Sequence, residues 1–541
     1  MQLRRFRTTT ALAATAALLL TACGGVGDDG GDDQTFIFGV PNLPRSLDPI
    51  FANDGETFRV TRQVFDTLLD HESGGNEMVG GLAETWDVSD DGLTWTFNLR
   101  DGVEFHDGET LDAAAVCANF DRWMNLPEPF HNTTVAYYYN NLFGSFTDGE
   151  SSTGNDFLVG CSADGLTVTI QLKETSANFP GAFSMATTAI LSPGSLEQID
   201  DGAFTGIDDG LPDYTQDVTG ILAGTGPFQL DSWNHAQDEL TLTRFDDYWG
   251  DPAGVSRIVF KAYDDETALK QALEASEIHG YDLVAPAHVA ELEAAGFQVP
   301  TRGVFNILYL AFQQETDEQL ADLEVRQALA AAVDRQNIVD SLLPEGGVVA
   351  TQFMPDTVAG HSDNVTTYSY DPDAARPVLE GRTMEFCWPT NVSRPYMPSP
   401  RDIFESIKAD LEAVGVTVQE KPMEWANYIP AAASGECPLY ILGWTGDFNE
   451  GYNFLGTWFA NHTDEFGMNR DDIFAVMQRA AREGDPDARA ALLAEASEMI
   501  MDELPGLPIS SSPPSIVFSA EVNPPNVSPL TQEKFDEVSF R

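Results

Sequence analysis

Residues 403–419 read IFESIKADLEAVGVTVQ and residues 439–444 read LYILGW. In the first stretch Ile403, Ile407, Leu411 and Val414 recur at helical spacing and Gly415 follows as a stop, so an amphipathic helix is expected there. Val416 to Gln419 and Leu439 to Trp444 are short apolar runs, giving the order helix, strand, strand. The same mixture extends outward. Phe36 to Val40 is a short apolar strand, after which Pro41, Pro44 and Pro49 force a loop. Trp95, Phe97 and Leu99 share one face of an alternating strand, as do Leu166, Val168, Ile170 and Leu172. Between them Val116, Phe120, Trp123 and Met124 repeat at helical spacing behind Asp112, which suits an N-cap. Val325 to Leu343 reads as a helical pattern, and the polar, glycine-rich tract from Gly144 to Asp156 as a surface excursion. Leu504 to Pro508 and the prolines at 513, 514, 524 and 525 mark a return crossing and an extended tail. Helices and strands alternating over this length indicate an α/β protein rather than a β-sandwich. Roughly 500 residues are too many for one core and imply two or three domains.

The chain begins with Arg4, Arg5 and Arg7 followed by an apolar run from Ala11 to Leu20, the pattern of an export signal. The run ends in Leu20-Thr21-Ala22-Cys23, and Gly24 to Asp33 holds only glycine, aspartate and one valine, so it is expected to be a flexible tether. No later stretch is apolar for the 18 or so residues that spanning a bilayer requires. Asp and Glu number 86 against 28 Lys and Arg, a formal net charge of −58. Such a chain is repelled by nucleic acid and by anionic lipid surfaces. The carboxylates are scattered and follow no calcium-loop pattern, so no metal site is expected. One of the five cysteines is Cys23, and outside the cytoplasm the even remainder favours disulfides over metal ligation. There is no G-x-S-x-G elbow, no phosphate loop and no S-x-x-K before any lysine, so no enzyme is expected.

Several segments resemble the extracellular solute-binding proteins of family 5, the peptide/nickel-binding lipoproteins of ABC importers, and most closely their dipeptide-binding branch. They are Ser46-Leu47-Asp48-Pro49, Leu82-Ala83-Glu84-Thr85-Trp86, Leu99 to Gly108, Gly224-Thr225-Gly226-Pro227-Phe228, Asp247-Tyr248-Trp249-Gly250 and Val325-Arg326-Gln327-Ala328-Leu329. In the last third come Arg394-Pro395-Tyr396, Glu424-Trp425 and Gly443-Trp444-Thr445-Gly446-Asp447. Their order along nearly the whole chain carries the likeness. Leu20 to Cys23 likewise resembles a lipobox, which implies a signal peptide over 1–22, a diacylglycerol on Cys23 and a tether over 23–33. The resemblance implies a two-lobed periplasmic-binding-protein-like fold of type II, in the large cluster with an extra subdomain in lobe one. Lobe one is then expected over 34–300, with the subdomain at about 66–216, lobe two over 301–507, and a return to lobe one over 508–541. Thr301-Arg302-Gly303 and Ile509-Ser510-Ser511 become the hinge strands.

The implied function is capture of short, dipeptide-like molecules outside the cell for delivery to the permease subunits of an ABC importer. The protein is expected to work as a monomer without cofactor, held to the outer face of the membrane by the lipid on Cys23. A free peptide is a zwitterion, and burying both ends requires one anion and one cation in the cleft. Asp447 follows the Leu439 to Trp444 strand, at the carboxyl edge where α/β folds place ligand loops, and matches the family aspartate that holds the peptide amine. Arg394 matches the arginine by which dipeptide binders hold the carboxylate, a task suited to its two parallel donors. Trp444, Trp425, Phe305, Asn306 and Tyr428 are candidates to line the pocket, with core packing the competing reading for the aromatics. One departure stands out: Asp447 is followed by Phe448-Asn449-Glu450-Gly451, where the family usually has an acidic residue and then proline. A nickel-chelate, haem or other solute binder of the same family, or a peptide-sensing receptor without transport, is the alternative. The eight histidines do not favour metal, since none are paired at i, i+3 or i+4, and His279 and His288 read as isolated surface residues. On the implied lobes, a bridge across them would lock the hinge, so Cys117 is expected to pair with Cys161 and Cys387 with Cys437.

Overall fold

The computed structural model describes residues 34–199 and 220–541, with the backbone of the short strands Phe204–Asp208 and Leu211–Tyr214 between them. The signal segment, Cys23 and the tether lie outside the described residues. Two six-stranded sheets organise the chain. In the first, Thr35–Val40 lies parallel between Arg257–Ala262 and Gly280–Asp282. Phe228–Asn234 and Glu239–Arg244 extend one side and Ile516–Phe518 closes the other. Phe36, Phe38 and Val40 are all buried, as the apolar reading of this strand requires.

The second sheet runs Val348–Val349, Gly506–Ser511, Asn306–Phe312, Leu439–Thr445, Thr383–Thr390, Thr417–Glu424. Its central strand Asn306–Phe312 is buried at every position, so it reads as a continuous apolar run instead of alternating. The exception, Asn306, is satisfied locally: Nδ2 donates to the Ser512 carbonyl at 2.7 Å and Oδ1 accepts from Ser512 N at 3.2 Å. The helix Pro400–Ala413 packs on this sheet and ends before Gly415, whose φ of +94° is the left-handed conformation that a helix stop favours. A separate antiparallel sheet of four strands, Ala83–Val88, Thr94–Leu99, Thr167–Leu172 and Leu158–Asp164, is covered by the helix Ala113–Met124. Asp112 caps that helix by accepting from Ala115 N at 2.8 Å.

Cys117 is bonded to Cys161, tying this helix to the edge strand, and Cys387 to Cys437, tying two segments of the second sheet. Each bridge therefore stays within one packed unit. Between the sheets the chain crosses twice, side by side: Thr301 bridges Ser515, and Arg302 N donates to the Pro514 carbonyl at 3.0 Å. Here four charges meet out of water. Arg302 donates to both oxygens of Glu533, at 2.7 and 2.9 Å, and to Asp282 at 2.6 Å, while Arg59 also binds Asp282. Burial alone would raise the Asp282 pKa, but Arg302 and Arg59 hold it well below the usual carboxylate range.

Four local expectations are corrected. Ile509 to Ser511 is not the crossing segment, because Gly506–Ser511 pairs with Asn306–Phe312 and the Asn306 bonds keep the chain on the second sheet through Ser512. The Val325 to Leu343 pattern divides into the helices Leu323–Ala332 and Arg335–Leu342, because Asp334 accepts from Asn337 N and caps the second. The tract after Gly144 is not wholly superficial, since Ser145 and Ser151 are buried and bonded to Asp156 and Asn140. Finally, a helix, Trp425–Ala433, lies between Thr417–Glu424 and Leu439–Thr445. His279 is half-buried and accepts from Ile37 N at 2.9 Å, and His288 contacts Glu266 at 2.7 Å.

Candidate ligand-binding site

The strand Leu439–Thr445 delivers Asp447 to the space between the sheets, where both sides of the molecule grip it. Tyr138, from the short helix Tyr137–Leu142 of the four-stranded-sheet region, donates its hydroxyl to Asp447 Oδ1 at 2.8 Å. Asn453, on the helix Gly451–Phe459, donates to Oδ2 at 3.0 Å and accepts from Asp447 N at 2.9 Å. The same Asn453 oxygen accepts from Trp444 Nε1 at 3.1 Å, so one amide aligns strand end, loop and carboxylate. Each carboxylate oxygen retains a second lone pair for a further donor. Burial pushes the Asp447 pKa up to about 6, against the bonds from Asn453 and Tyr138 and the field of Arg62, which lower it. Arg62, on the helix Gly55–Val64, lies over the Phe58 ring, and burial lowers its own pKa to about 10. Asp447 is thus an anion at neutral pH whose charge is only partly compensated, a state that an arriving ammonium improves.

The next residue ties this loop to the far side. Phe448 is 2% exposed and packs in the cluster of the four-stranded-sheet region. A Cβ on Gly181 would lie 2.3 Å from the Phe448 ring, so glycine is what admits it. Two further bonds span the same gap: Ala177 N to the Ala481 carbonyl at 2.7 Å, and Thr175 Oγ1 to the Arg482 carbonyl at 2.8 Å. Glu450 caps the following helix and pairs with Arg489 at 2.8 Å, fixing the loop from its other end.

Arg394 follows the strand Thr383–Thr390, in a turn closed by two backbone bonds with Met397. Its guanidinium lies 4.3 Å from the centre of the Trp425 ring. Among the described residues no carboxylate pairs with Arg394, so its donors are free for a ligand carboxylate. Trp425 and Trp444 are half-buried, as pocket walls require. The other candidates are engaged in the core. Phe305 is buried edge-on to Phe454, Asn306 is committed to Ser512, and the buried Tyr428 donates to the Ile441 carbonyl at 2.6 Å.

Sequence reasoning missed Tyr138, Asn453 and Arg62. Tyr138 is 309 positions from Asp447, and nothing local marks it. Asn453 carried a faint signal: it stands at the start of a helix just past the binding loop, where its side chain can reach back. Among the described residues the fold also brings Glu315 beside His462 and Asp464, an exposed trio of potential ligating groups drawn from two segments. No helix among the described residues is long and apolar enough to cross a membrane.

Residues 77–466 match the family described as bacterial extracellular solute-binding proteins, family 5, middle. The dipeptide-binding protein of Escherichia coli (strain K12) is 29% identical over 527 residues, covering 94% of this chain and 95% of the relative. Heme-binding protein A of Haemophilus influenzae is 27% identical over 528 residues, covering 94% and 92%. The dipeptide-binding protein of Pseudoalteromonas sp. SM9913, solved in complex with Met-Leu, superposes with a TM-score of 0.81 at 21% identity, over 94% of this chain and all of that one. With the two-lobed α/β architecture and a match across most of its length, this chain belongs to the bacterial extracellular solute-binding proteins of family 5.

Proposed function

We propose that this protein captures short free peptides, dipeptide-like in size, and hands them to the permease subunits of an ABC importer. The observation that carries the reading is Asp447: a carboxylate between the lobes, held by Tyr138 from one side and Asn453 from the other, with lone pairs left for an ammonium. Arg394 supplies the opposite charge from the same lobe as Asp447, stacked on Trp425 and, among the described residues, without a carboxylate as partner. An anion and a cation presented at one cleft suit a zwitterion better than a haem or a metal chelate. Binding the two backbone ends leaves the side chains to pocket walls and water. Cys23 is the proposed point of lipid attachment to the outer face of the membrane, as a monomer. A stable anchor takes more than one acyl chain, which a diacylated cysteine provides. The test is mass spectrometry of small molecules released from the denatured, freshly purified protein. A mixture of dipeptides is expected; haem, a metal chelate or an uncharged solute would overturn the reading.

A further inference from the structure

A second carboxylate, in the same lobe as Asp447, has no cation partner among the described residues. Glu465 follows the helix Gly451–Phe459 and accepts a hydrogen bond from the Tyr309 hydroxyl at 3.3 Å. Its backbone carbonyl accepts from the Tyr440 hydroxyl at 3.0 Å. Both tyrosines are fully buried, whereas Glu465 keeps partial exposure. Among the described residues no Lys, Arg or His pairs with it.

The register places Glu465 relative to Asp447. Tyr309 pairs with Leu442, Ile307 with Trp444 and Ala311 with Tyr440, so Tyr309, Trp444 and Tyr440 share one face of the second sheet. Trp444 holds Asn453 and, through it, Asp447. Tyr309 lies edge-on to Trp458 at 5.0 Å, and Trp458 edge-on to Trp444 at 6.0 Å, so a chain of packed rings links the Tyr309 that holds Glu465 to the Trp444 beside the amine-binding loop. The electrostatics agree with this placement. Beyond the effect of burial, the Tyr137 hydroxyl, on the opposite lobe, is pushed up by both Asp447 and Glu465. The Tyr396 hydroxyl, again after burial, is pulled down by Arg394 and up by Glu465. Glu465 therefore shares the neighbour Tyr137 with Asp447 and the neighbour Tyr396 with Arg394.

We infer that Glu465 receives a second cationic group of the ligand, the side-chain ammonium or guanidinium of a lysine or arginine in a short peptide. The inference rests on the peptide reading of Asp447 and Arg394 and adds the class of side chain. The Tyr309 hydroxyl holds the Glu465 side chain in place, and the remaining lone pairs of this partly exposed carboxylate meet no cation among the described residues. A ligand cation satisfies them with a charge-assisted hydrogen bond.

The test compares Ala-Lys with Ala-norleucine, which has the same carbon chain without the ammonium, and Lys-Ala with norleucine-Ala, by calorimetry at pH 7.5. The wild-type protein should bind at least one lysine peptide more than ~10-fold tighter than its norleucine counterpart. Glu465→Gln should erase that difference while binding the norleucine peptides as the wild type does, which also shows that the variant is folded. Equal affinity of the wild type for lysine and norleucine peptides, or a preference that survives in Glu465→Gln, overturns the inference and leaves the peptide reading standing. Failure of all four peptides to bind overturns the peptide reading itself, and the inference with it.

Discussion

Asn453→Ala is the most revealing perturbation of the site, because it leaves both charged clamp residues in place and alters only how Asp447 is held. The substitution removes the donor to Asp447 Oδ2 and the acceptor shared by Asp447 N and Trp444 Nε1. The bond to the carboxylate is charge-assisted, and losing it costs the ionised form about 1.5 to 3 kcal/mol. At about 1.4 kcal/mol per pH unit, the pKa of Asp447 rises by about 1 to 2 from its wild-type value of about 6. A ligand ammonium binds the ionised carboxylate, so affinity is full above that pKa and falls as pH drops through it, about tenfold for each unit below. Dipeptide affinity of the wild type should therefore hold between pH 8 and 7 and weaken below about 6. In Asn453→Ala the weakening should begin about 1 to 2 pH units higher, so the variant already falls behind the wild type near pH 6.5 and recovers toward pH 8. Calorimetric titration with Ala-Leu, which lacks a charged side chain, at half-unit steps from pH 5 to 8 reads the midpoint. An unchanged midpoint with uniformly lower affinity would mean that Asn453 merely supports the fold, and an unchanged profile would remove it from the site altogether.

Arg302→Met, similar in length but uncharged, leaves Glu533 buried without its bidentate partner and Asp282 with Arg59 alone. It should cost about 3 to 5 kcal/mol in urea unfolding; a loss below about 1 kcal/mol would show that the four-charge cluster does not hold the crossing strands together. Replacing Cys387 and Cys437 together by serine opens a loop of 50 residues and should lower stability by up to about 4 kcal/mol, measured by denaturant titration. Reductant, which opens the Cys117–Cys161 bridge as well, should cost the wild type at least as much, and no loss in either would contradict the bridge's contribution.

What was legible in the sequence was whatever a short stretch carries by itself. Asp112 announced its helix because a carboxylate at that position can accept from Ala115 N, and Ile403 to Val414 announced theirs by spacing. The helix Trp425–Ala433 escaped because Pro430 sits inside it and its three terminal residues are alanines, which show no apolar face. The strand Thr417–Glu424 was cut short at Gln419 because Glu420, Lys421 and Glu424 belong to a mostly exposed edge strand. The crossing point was misplaced by a few residues because Asn306, more than 200 positions away, decides how long the returning chain stays on the second sheet. The site shows the same division. Asp447 and Arg394 were nominated by resemblance, while Tyr138, Asn453 and Glu465 acquire their partners only when distant segments meet in the fold.

The central claim is that Asp447 holds the free amine of a short peptide, and the measurement that reaches it most directly is calorimetry of one dipeptide and its N-acetyl derivative on the wild type and on Asp447→Asn. The account predicts that the wild type binds the free dipeptide far more tightly than the acetylated one. Asp447→Asn, near in shape but uncharged, should lose about 2 to 5 kcal/mol toward the free dipeptide and little toward the acetylated one. Equal affinity of the wild type for both peptides, or full affinity of Asp447→Asn for the free dipeptide, would contradict it.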